Sequence, residues 1–298
     1  MPGAMKIDAE TSNHGPLVIK LGGAAVDSSI ELDDLYAAIV QLHRTLPNGV
    51  VVVHGGGAAV DQHLDRLGLV SDRHDGIRIT PADHIDEIVG VLAGRVNKGL
   101  VARLQRCGAE AVGLCLGDGH IAQISKVTDL PIDPGRVGEV TGGNARLITL
   151  LLSEGFLPVL ASIGFDHEGQ TLNVNADTAA AGIARVLNAS SLLFLTDTPG
   201  VLDRHGAMIK SLSPIEIETA IESGEIQGGM IAKVRSAALA STSAEIPVTI
   251  ASWNDPETLT ELTKGAAVGT RILPTDQDEM LAAPEPVEIA NTTAVPNG

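Results

Sequence analysis

The chain has 298 residues, a formal net charge of −17, 44% apolar residues and only 2% aromatic residues. A chain of this length buries a substantial core, as one large domain or as two lobes, and Val, Leu, Ile and Ala must fill it. The acidic charge argues against nucleic acid as a partner, because a phosphate backbone needs a basic surface, but small anionic ligands need only a few converging cations and backbone N–H groups.

Membrane segments, secretion signals and metal motifs are not recognisable in the sequence. No apolar run is long enough to cross a bilayer, and residues 1–15 are polar, so we expect a flexible N-terminal arm and a cytoplasmic protein. The nine His and two Cys residues show no zinc-site spacing, so we predict no metal held by protein ligands. The acidic stretch 275–298 is expected to be a disordered tail.

Two strand–turn–helix units open the chain. Residues 17–20 form a short apolar strand that ends on a lysine, and a glycine turn leads to a helix at about 30–46. Residues 50–53 are all valine, which is typical of a strand covered on both faces, and the turn 54–57 leads to a helix at about 58–67. This alternation predicts a three-layer α-β-α sandwich with an open, mostly parallel central sheet.

The later elements continue the pattern. Thr80 and Pro81 have the sequence of a helix start, with Thr80 as the cap. Further predicted helices cover 81–107, 147–154, 213 onwards with a capping box, 230–241 and 255–264. Further predicted strands cover 110–116, a hairpin near 122–127, 157–162, 191–196, 246–251 and 269–272.

The polar pentad at 173–177, NVNAD, precedes an alanine-rich helix. Asn can cap a helix, and Asp in a first turn faces the positive end of the helix dipole, so one interpretation is simply a well-capped helix. The other interpretation is a functional site, because glycine turns with basic residues lie on both sides of the pentad along the chain. Asp177 could then align Lys20 and Lys233.

The chain has neither a P-loop nor a dinucleotide fingerprint. Phosphoryl transfer is the chemistry that the lysines and glycine turns fit, because it needs position and positive charge around the transferred group. Glycine turns can hold phosphate or carboxylate oxygens, although many only redirect the chain. Lys20 would face the transferred group and Lys233 the nucleotide phosphates, unless Lys233 is a solvated surface lysine. Arg78 suits either a substrate carboxylate or a buried structural ion pair, and Asn173 could hold an amide. His54 is assigned no catalytic role.

Eight motifs in order resemble those of acetylglutamate kinases, members of the amino-acid kinase family, over about residues 17–274. The motifs are VIKLGG at 18–23, VVHGGG at 52–57, GIRITPAD at 76–83, VNKGLVARL at 96–104, AVGLCLGDG at 111–119, NVNAD at 173–177, TDTPGVL at 196–202 and GGMIAKV at 228–234. The resemblance implies the amino-acid kinase fold in two lobes, with residues 16–186 for acetylglutamate binding and dimerisation and residues 187–274 for ATP. It also implies phosphorylation of the γ-carboxylate of N-acetyl-L-glutamate by ATP, with Mg²⁺ carried on the ATP phosphates.

The resemblance assigns roles to individual positions of this sequence. Lys20 and Lys233 match the lysines that stabilise the transition state, and Asp177 matches the aspartate that organises them. The positions that match acetylglutamate-binding residues are Gly56, Gly57, Arg78 and Asn173. The positions that match nucleotide-binding residues are Asp197, Thr198, Pro199, Gly200, Val201, Leu202, Glu225, Ile226 and Gln227.

Residues 1–15 depart from the arginine-inhibited members of this family, which carry an apolar N-terminal helix. We therefore expect a homodimer without arginine feedback. Two alternatives remain open: a kinase for N-acetyl-aminoadipate, which is one methylene longer, and a catalytically silent sensor of the same fold. Retention of both lysines and of Asp177 argues against the sensor.

Overall fold

The computed structural model describes residues 15–26, 32–74, 76–255, 259–261 and 268–274. The strands within these ranges are β1 (Leu17–Leu21), β2 (Val50–His54), β3 (Arg73–His74), β4 (Ile77–Arg78), β5 (Ala111–Cys115), β6 (Ala122–Lys126), β7 (Val137–Gly143), β8 (Leu157–Ala161), β9 (Ile163–Phe165), β10 (Thr171–Val174), β11 (Ser191–Thr196), β12 (Ser211–Leu212), β13 (Val248–Ser252) and β14 (Thr270–Ile272).

The helices in the same ranges are α1 (Asp33–Thr45), α2 (Gly57–Arg66), α3 (Ile85–Val89), α4 (Asn97–Arg106), α5 (Arg146–Ser153), α6 (Ala176–Val186), α7 (Pro214–Glu222) and α8 (Gly229–Ala244). A π-helical segment, Gly90–Val96, joins α3 to α4. None of these helices is long and apolar enough to cross a membrane.

The main sheet has eight strands in the order β12-β14-β13-β11-β1-β2-β8-β5. The six strands from β13 to β5 are mutually parallel, and β14, which lies inside the edge strand β12, pairs antiparallel with β13. The predicted open, mostly parallel sheet is thereby confirmed. Strand β1 lies at the centre, between β2, the next strand in the chain, and β11, which comes much later in the chain. The crevice at the carboxyl end of β1 is therefore where ligands bind in such sheets.

Side chains on alternate positions of the strands enter two separate cores. Leu17, Ile19 and Leu21 of β1 belong to the core under α1, α2 and α4, whereas Val18 belongs to the core under α6 and α8. Strand side chains alternate between the two faces of a sheet, so helix layers on both faces explain why β1 and β2 are apolar at successive positions. This is the three-layer arrangement that the sequence predicts.

Two smaller sheets lie beside the main sheet. One has four strands in the order β6-β7-β10-β9, and β10 brings Asn173 to the edge of the central crevice. The other is the short antiparallel hairpin of β3 and β4, in which Arg73 pairs with Arg78. Both smaller sheets therefore place polar side chains around the carboxyl end of the main sheet.

Several local predictions are confirmed and one is wrong. The capping box of α7 forms between Ser213 and Glu216 as predicted. Thr80 does not cap a helix: its N–H donates to the carbonyl oxygen of Pro134 (2.9 Å) and its own carbonyl oxygen accepts from Arg136 (2.6 Å), so its backbone belongs to a β-bridge. Helix α3 begins five residues later, at Ile85. Residues 1–14 of the predicted arm, the whole tail and most of the predicted 255–264 helix lie outside the described residues.

Candidate active site

A cleft of about 210 Å³ opens at the carboxyl ends of the central strands. Its floor is formed by Lys20 at the end of β1 and by the glycine turns that follow β1 and β2. Hairpin β3–β4 and the residues from Asn173 to Asp177 form its walls. The chain therefore brings Lys20, Gly56, Gly57, Arg78, Asn173 and Asp177, all predicted from sequence, into one cleft.

Lys20 and Asp177 form an ion pair within the cleft. The distance between Lys20 Nζ and Asp177 Oδ1 is 2.7 Å, and the two side chains are only 15% and 23% exposed. The ammonium also lies 5.5 Å from the centre of the Phe194 ring, on the neighbouring strand β11. Lys20 is thus a shielded cation with a fixed direction, which suits the stabilisation of charge on a transferred group.

Gly22 leaves the space that the Lys20 ammonium fills. A Cβ added at Gly22 would lie 2.5 Å from Lys20 Nζ and 3.1 Å from its Cε. Gly56 has a similar role against the π-helical segment, where an added Cβ would lie 2.9 Å from Leu92. A larger residue at either glycine would therefore crowd these side chains.

Asp177 occupies the first turn of α6, as the pentad predicts. The side chain of Asn175 caps this helix by accepting hydrogen bonds from the N–H groups of Asp177 (2.8 Å) and Thr178 (3.3 Å). The second carboxylate oxygen, Asp177 Oδ2, accepts a hydrogen bond from the hydroxyl of Ser236 on α8 at 2.5 Å. Sequence reasoning missed Ser236, since nothing in its local sequence marks it.

Lys233 pairs with Asp197 rather than with Asp177. The hydrogen bond from Lys233 holds the pKa of Asp197 below its usual value. Lys233 lies one helical turn before Ser236 on α8, and therefore on the same face as the residue that contacts Asp177. Lys233 itself is not among the residues that line the cleft.

Arg78 is buried, with 8% of its surface exposed, and it forms the structural ion pair that the sequence left open as an alternative. Its Nη1 contacts Asp61 Oδ1 (2.5 Å) and the hydroxyl of Ser71, and its Nη2 donates to the carbonyl oxygen of Gly57 (3.0 Å). These contacts use three of the five N–H donors of a guanidinium. Arg78 therefore lines the cleft in a fixed orientation and retains donor capacity for a ligand.

Asp61 on α2 and Arg73 on β3 complete this cluster and were missed by sequence reasoning. Asp61 Oδ2 accepts from Arg73 Nη2 at 2.7 Å, and Arg73 lines the cleft beside Arg78. Burial alone would raise the pKa of Asp61, but hydrogen bonds from Arg78 and Ser71 outweigh it and lower the pKa. The ionised carboxylate thus orients two guanidinium groups at the mouth of one pocket.

Asn173 is tied to the same wall. Its side-chain amide donates to the hydroxyl of Thr80 at 3.1 Å, and that hydroxyl donates to the carbonyl oxygen of Arg78 at 3.1 Å. The Thr80 side chain therefore connects Asn173 to the backbone of Arg78. Two residues predicted to contact one substrate are held by a common neighbour.

A buried network supports the glycine turn after β2. His54 is fully buried, and burial lowers its pKa to about 4, so it is neutral near pH 7. Its Nδ1–H donates to the carbonyl oxygen of Gly55 (2.8 Å), and its Nε2 accepts from the side-chain amide of Asn97 (3.0 Å). Lys98 donates to Asn97 Oδ1 at 3.0 Å. His54 therefore has a structural role at the edge of the cleft.

The predicted nucleotide residues lie at the same carboxyl edge, on the side of β11. Residues 197–202 directly follow β11, and residues 225–227 directly precede α8 and its positive-φ Gly228. Val201 and Ile226 are buried in the core, and the Val201 N–H donates to the hydroxyl of Thr270 at 2.8 Å. In the described part of the chain, no group of three or more His, Cys, Asp or Glu residues is arranged to hold a metal ion.

Comparisons with known proteins place the chain among kinases of small acids by sequence similarity alone. A model of the amino acid kinase family matches residues 15–252. The chain is 42% identical over 258 residues to the acetylglutamate kinase of Proteus mirabilis (strain HI4320), which covers 87% of this chain and 99% of that protein.

Solved structures share the fold at lower identity. N-acetylglutamate synthase from Neisseria gonorrhoeae, complexed with coenzyme A and N-acetyl-glutamate, superposes with a TM-score of 0.71 and 22% identity, covering 87% of this chain and 59% of that chain. Carbamate kinase from Giardia lamblia bound to AMP-PNP superposes with a TM-score of 0.59 and 18% identity, covering 89% of this chain and 99% of that chain. At these identities the likeness concerns the fold alone.

Proposed function

The chain belongs to the amino acid kinase family, and we propose that it is an acetylglutamate kinase, which transfers the γ-phosphoryl group of ATP to the γ-carboxylate of N-acetyl-L-glutamate in arginine biosynthesis. The observation that carries the proposal is the 42% identity to the Proteus mirabilis acetylglutamate kinase over 99% of that protein. The cleft supports it independently, because its cations and glycine turns suit a carboxylate acceptor and a phosphoryl group.

The proposed reaction needs no general base. A carboxylate is ionised at neutral pH, so its oxygen attacks the γ-phosphorus directly while the bond to the β,γ-bridging oxygen breaks and ADP leaves with the electron pair. The protein supplies position and positive charge for the phosphoryl oxygens. Lys20, held by Asp177 at 2.7 Å, is the cation assigned to the transferred group, and Lys233 is assigned to the nucleotide side.

Acetylglutamate is proposed to bind between the hairpin and β10. Arg78, fixed by Asp61, would hold the α-carboxylate, while the amide of Asn173 would contact the acetamido group. The backbone N–H groups of Gly56 and Gly57 would receive oxygens of the γ-carboxylate and of the transferred phosphoryl group. Arg73 adds a second guanidinium to this wall.

ATP is proposed to lie along 197–202 and 225–227, with residues 16–186 forming the acetylglutamate lobe and residues 187–274 the ATP lobe. Magnesium would be carried on the ATP phosphates, where it neutralises charge and bridges oxygens. Release of Lys233 from Asp197 towards those phosphates would accompany nucleotide binding. We further propose a cytoplasmic homodimer that arginine does not inhibit.

An ATP-dependent hydroxamate assay tests the proposed function, since hydroxylamine traps an acyl phosphate. The purified protein should form hydroxamate with N-acetyl-L-glutamate and ATP, and should use N-acetyl-aminoadipate with a kcat/KM lower by roughly 10- to 200-fold, the discrimination that one methylene allows. A higher kcat/KM for N-acetyl-aminoadipate would show that this longer acid, and not N-acetyl-L-glutamate, is the substrate. Binding of acetylglutamate without turnover would establish a silent sensor and overturn the kinase assignment.

A further inference from the structure

Helix α8 supplies two polar side chains to the site, one helical turn apart. Lys233 pairs with Asp197, and Ser236 donates its hydroxyl proton to Asp177 Oδ2 at 2.5 Å. The other oxygen of the same carboxylate, Oδ1, lies 2.7 Å from the Lys20 ammonium. The carboxylate of Asp177 therefore has the hydroxyl on α8 at one oxygen and the cation on β1 beside the other.

The hydrogen bond from Ser236 matters because an aspartate carboxylate can rotate about its terminal torsion. The terminal torsion of Asp is broad, so a carboxylate held at only one oxygen rotates easily. Asp177 Oδ1 is shielded from solvent, and the Lys20 ammonium beside it lies outside good hydrogen-bond geometry. A short hydrogen bond at Oδ2 is thus what fixes the direction in which Oδ1 faces Lys20.

The backbone around Ser236 is rigid enough for this purpose. Helices α6 and α8 pack along each other, and the small residues Ala180, Ala184, Ala237 and Ala240 are buried in the same core. Close packing through small side chains fixes the distance between the Ser236 hydroxyl and the start of α6. The hydrogen bond also connects the two lobes proposed above.

We propose that Ser236 is a positioning residue for phosphoryl transfer: its hydroxyl orients Asp177, and Asp177 in turn aims the Lys20 ammonium at the transferred group. This rests on the proposed kinase function. Ser236 does not line the cleft, so we do not expect it to contact a substrate. Its effect should therefore fall on turnover and leave substrate binding unchanged.

Steady-state kinetics of three variants test this role. Ser236→Ala should lower kcat by about tenfold, the scale of one hydrogen bond to a charged group, with the KM for acetylglutamate and for ATP unchanged. Ser236→Thr keeps a hydroxyl and should retain most of the wild-type kcat. Ser243→Ala is the matched control on the same helix, because the Ser243 hydroxyl donates to the carbonyl oxygen of Ala240 (3.3 Å), and it should behave as wild type.

The outcomes separate this proposal from the kinase assignment. A wild type without acetylglutamate-dependent turnover overturns the proposed function, and the role of Ser236 with it. An active wild type with an unchanged kcat in Ser236→Ala overturns the role of Ser236 alone, as does an equal loss in the Thr variant or a change confined to KM. Urea unfolding of Ser236→Ala, Asp177→Ala and the double variant should show non-additive effects; additive effects would contradict the hydrogen bond itself.

Discussion

Lys20 and Asp177 meet at 2.7 Å, where the central strand of the sheet ends and helix α6 begins. Both side chains are largely shielded from solvent, and Phe194 and Ser236 flank the pair. An ion pair fixed by the fold before substrate arrives costs little reorganisation during the reaction, which is how preorganised charge accelerates phosphoryl transfer. The predictions for Gly22, Asp61 and Lys20 depend on this arrangement of the cleft.

Gly22→Ala should impair turnover by crowding Lys20. The added Cβ would lie 2.5 Å from Lys20 Nζ, the far end of a long side chain, so it should displace the ammonium while the fold remains intact. We expect kcat to fall by about tenfold, since misplacement of a catalytic group by about 1 Å costs up to roughly 100-fold. Steady-state kinetics measures this, and thermal unfolding should show little change.

Gly99→Ala is the control for that substitution. Gly99 lies in α4, and a Cβ there would have no neighbour within 4 Å, so kcat should be unaffected and the helix should be slightly stabilised. Equal kcat values for Gly22→Ala and Gly99→Ala would show that turnover does not depend on the present position of the Lys20 ammonium.

Asp61→Ala should weaken acetylglutamate binding. Asp61 fixes Arg73 (2.7 Å) and Arg78 (2.5 Å), so its removal loosens both guanidiniums without removing any proposed substrate contact. We expect the KM for acetylglutamate to rise by about tenfold, the order of one charged hydrogen bond, with the KM for ATP unchanged. Asp65→Ala, at an exposed site on the same helix, should leave both constants unchanged; equal effects of the two variants would argue against the cluster.

His54 should make stability depend on pH. Burial lowers its pKa to about 4 in the folded protein, against about 6.5 in the unfolded chain. Between these values the unfolded state binds a proton that the folded state does not. The contribution of His54 to the free energy of unfolding should therefore decrease by up to about 3 kcal/mol as pH falls from 6.5 to 4, and should not change further below pH 4. Urea unfolding across this range measures the decrease.

His54→Gln isolates that contribution. The variant lacks the buried imidazole, so its unfolding free energy should decline less steeply over the same pH range, although it starts lower because the hydrogen bonds to Gly55 and Asn97 are altered. His167→Gln, at a side chain that is 90% exposed, should keep the wild-type slope. Identical slopes for all three proteins would show that His54 does not remain neutral in the folded state.

Features that depend on neighbouring residues in sequence could be predicted from the sequence. The apolar runs at β1 and β2, the Asn175 cap of α6 and the capping box of α7 all follow from short patterns, and the structure confirms them. The mostly parallel pairing in the main sheet follows from the alternation of strands and helices. The position of Lys20 at the cleft follows in turn, because carboxyl ends of parallel strands share one edge.

Features that depend on residues far apart in the sequence could not be predicted. Thr80 has the local pattern of a helix cap, but pairing with the segment around Gly135 provides its backbone with other partners. Asp61 gives no local signal of its contact with Arg78. The partner of Lys233 was also beyond reach, since two acids, Asp177 after β10 and Asp197 after β11, follow strand ends and only the folded backbone distinguishes them.

The most direct test is the turnover of Lys20→Ala with ATP and N-acetyl-L-glutamate, compared with Lys210→Ala at an exposed position. Loss of a preorganised cation should lower kcat by about 100- to 1,000-fold, while Lys210→Ala should retain the wild-type rate. A Lys20→Ala enzyme that is folded and turns over at the wild-type rate would contradict the role of the Lys20–Asp177 pair in phosphoryl transfer.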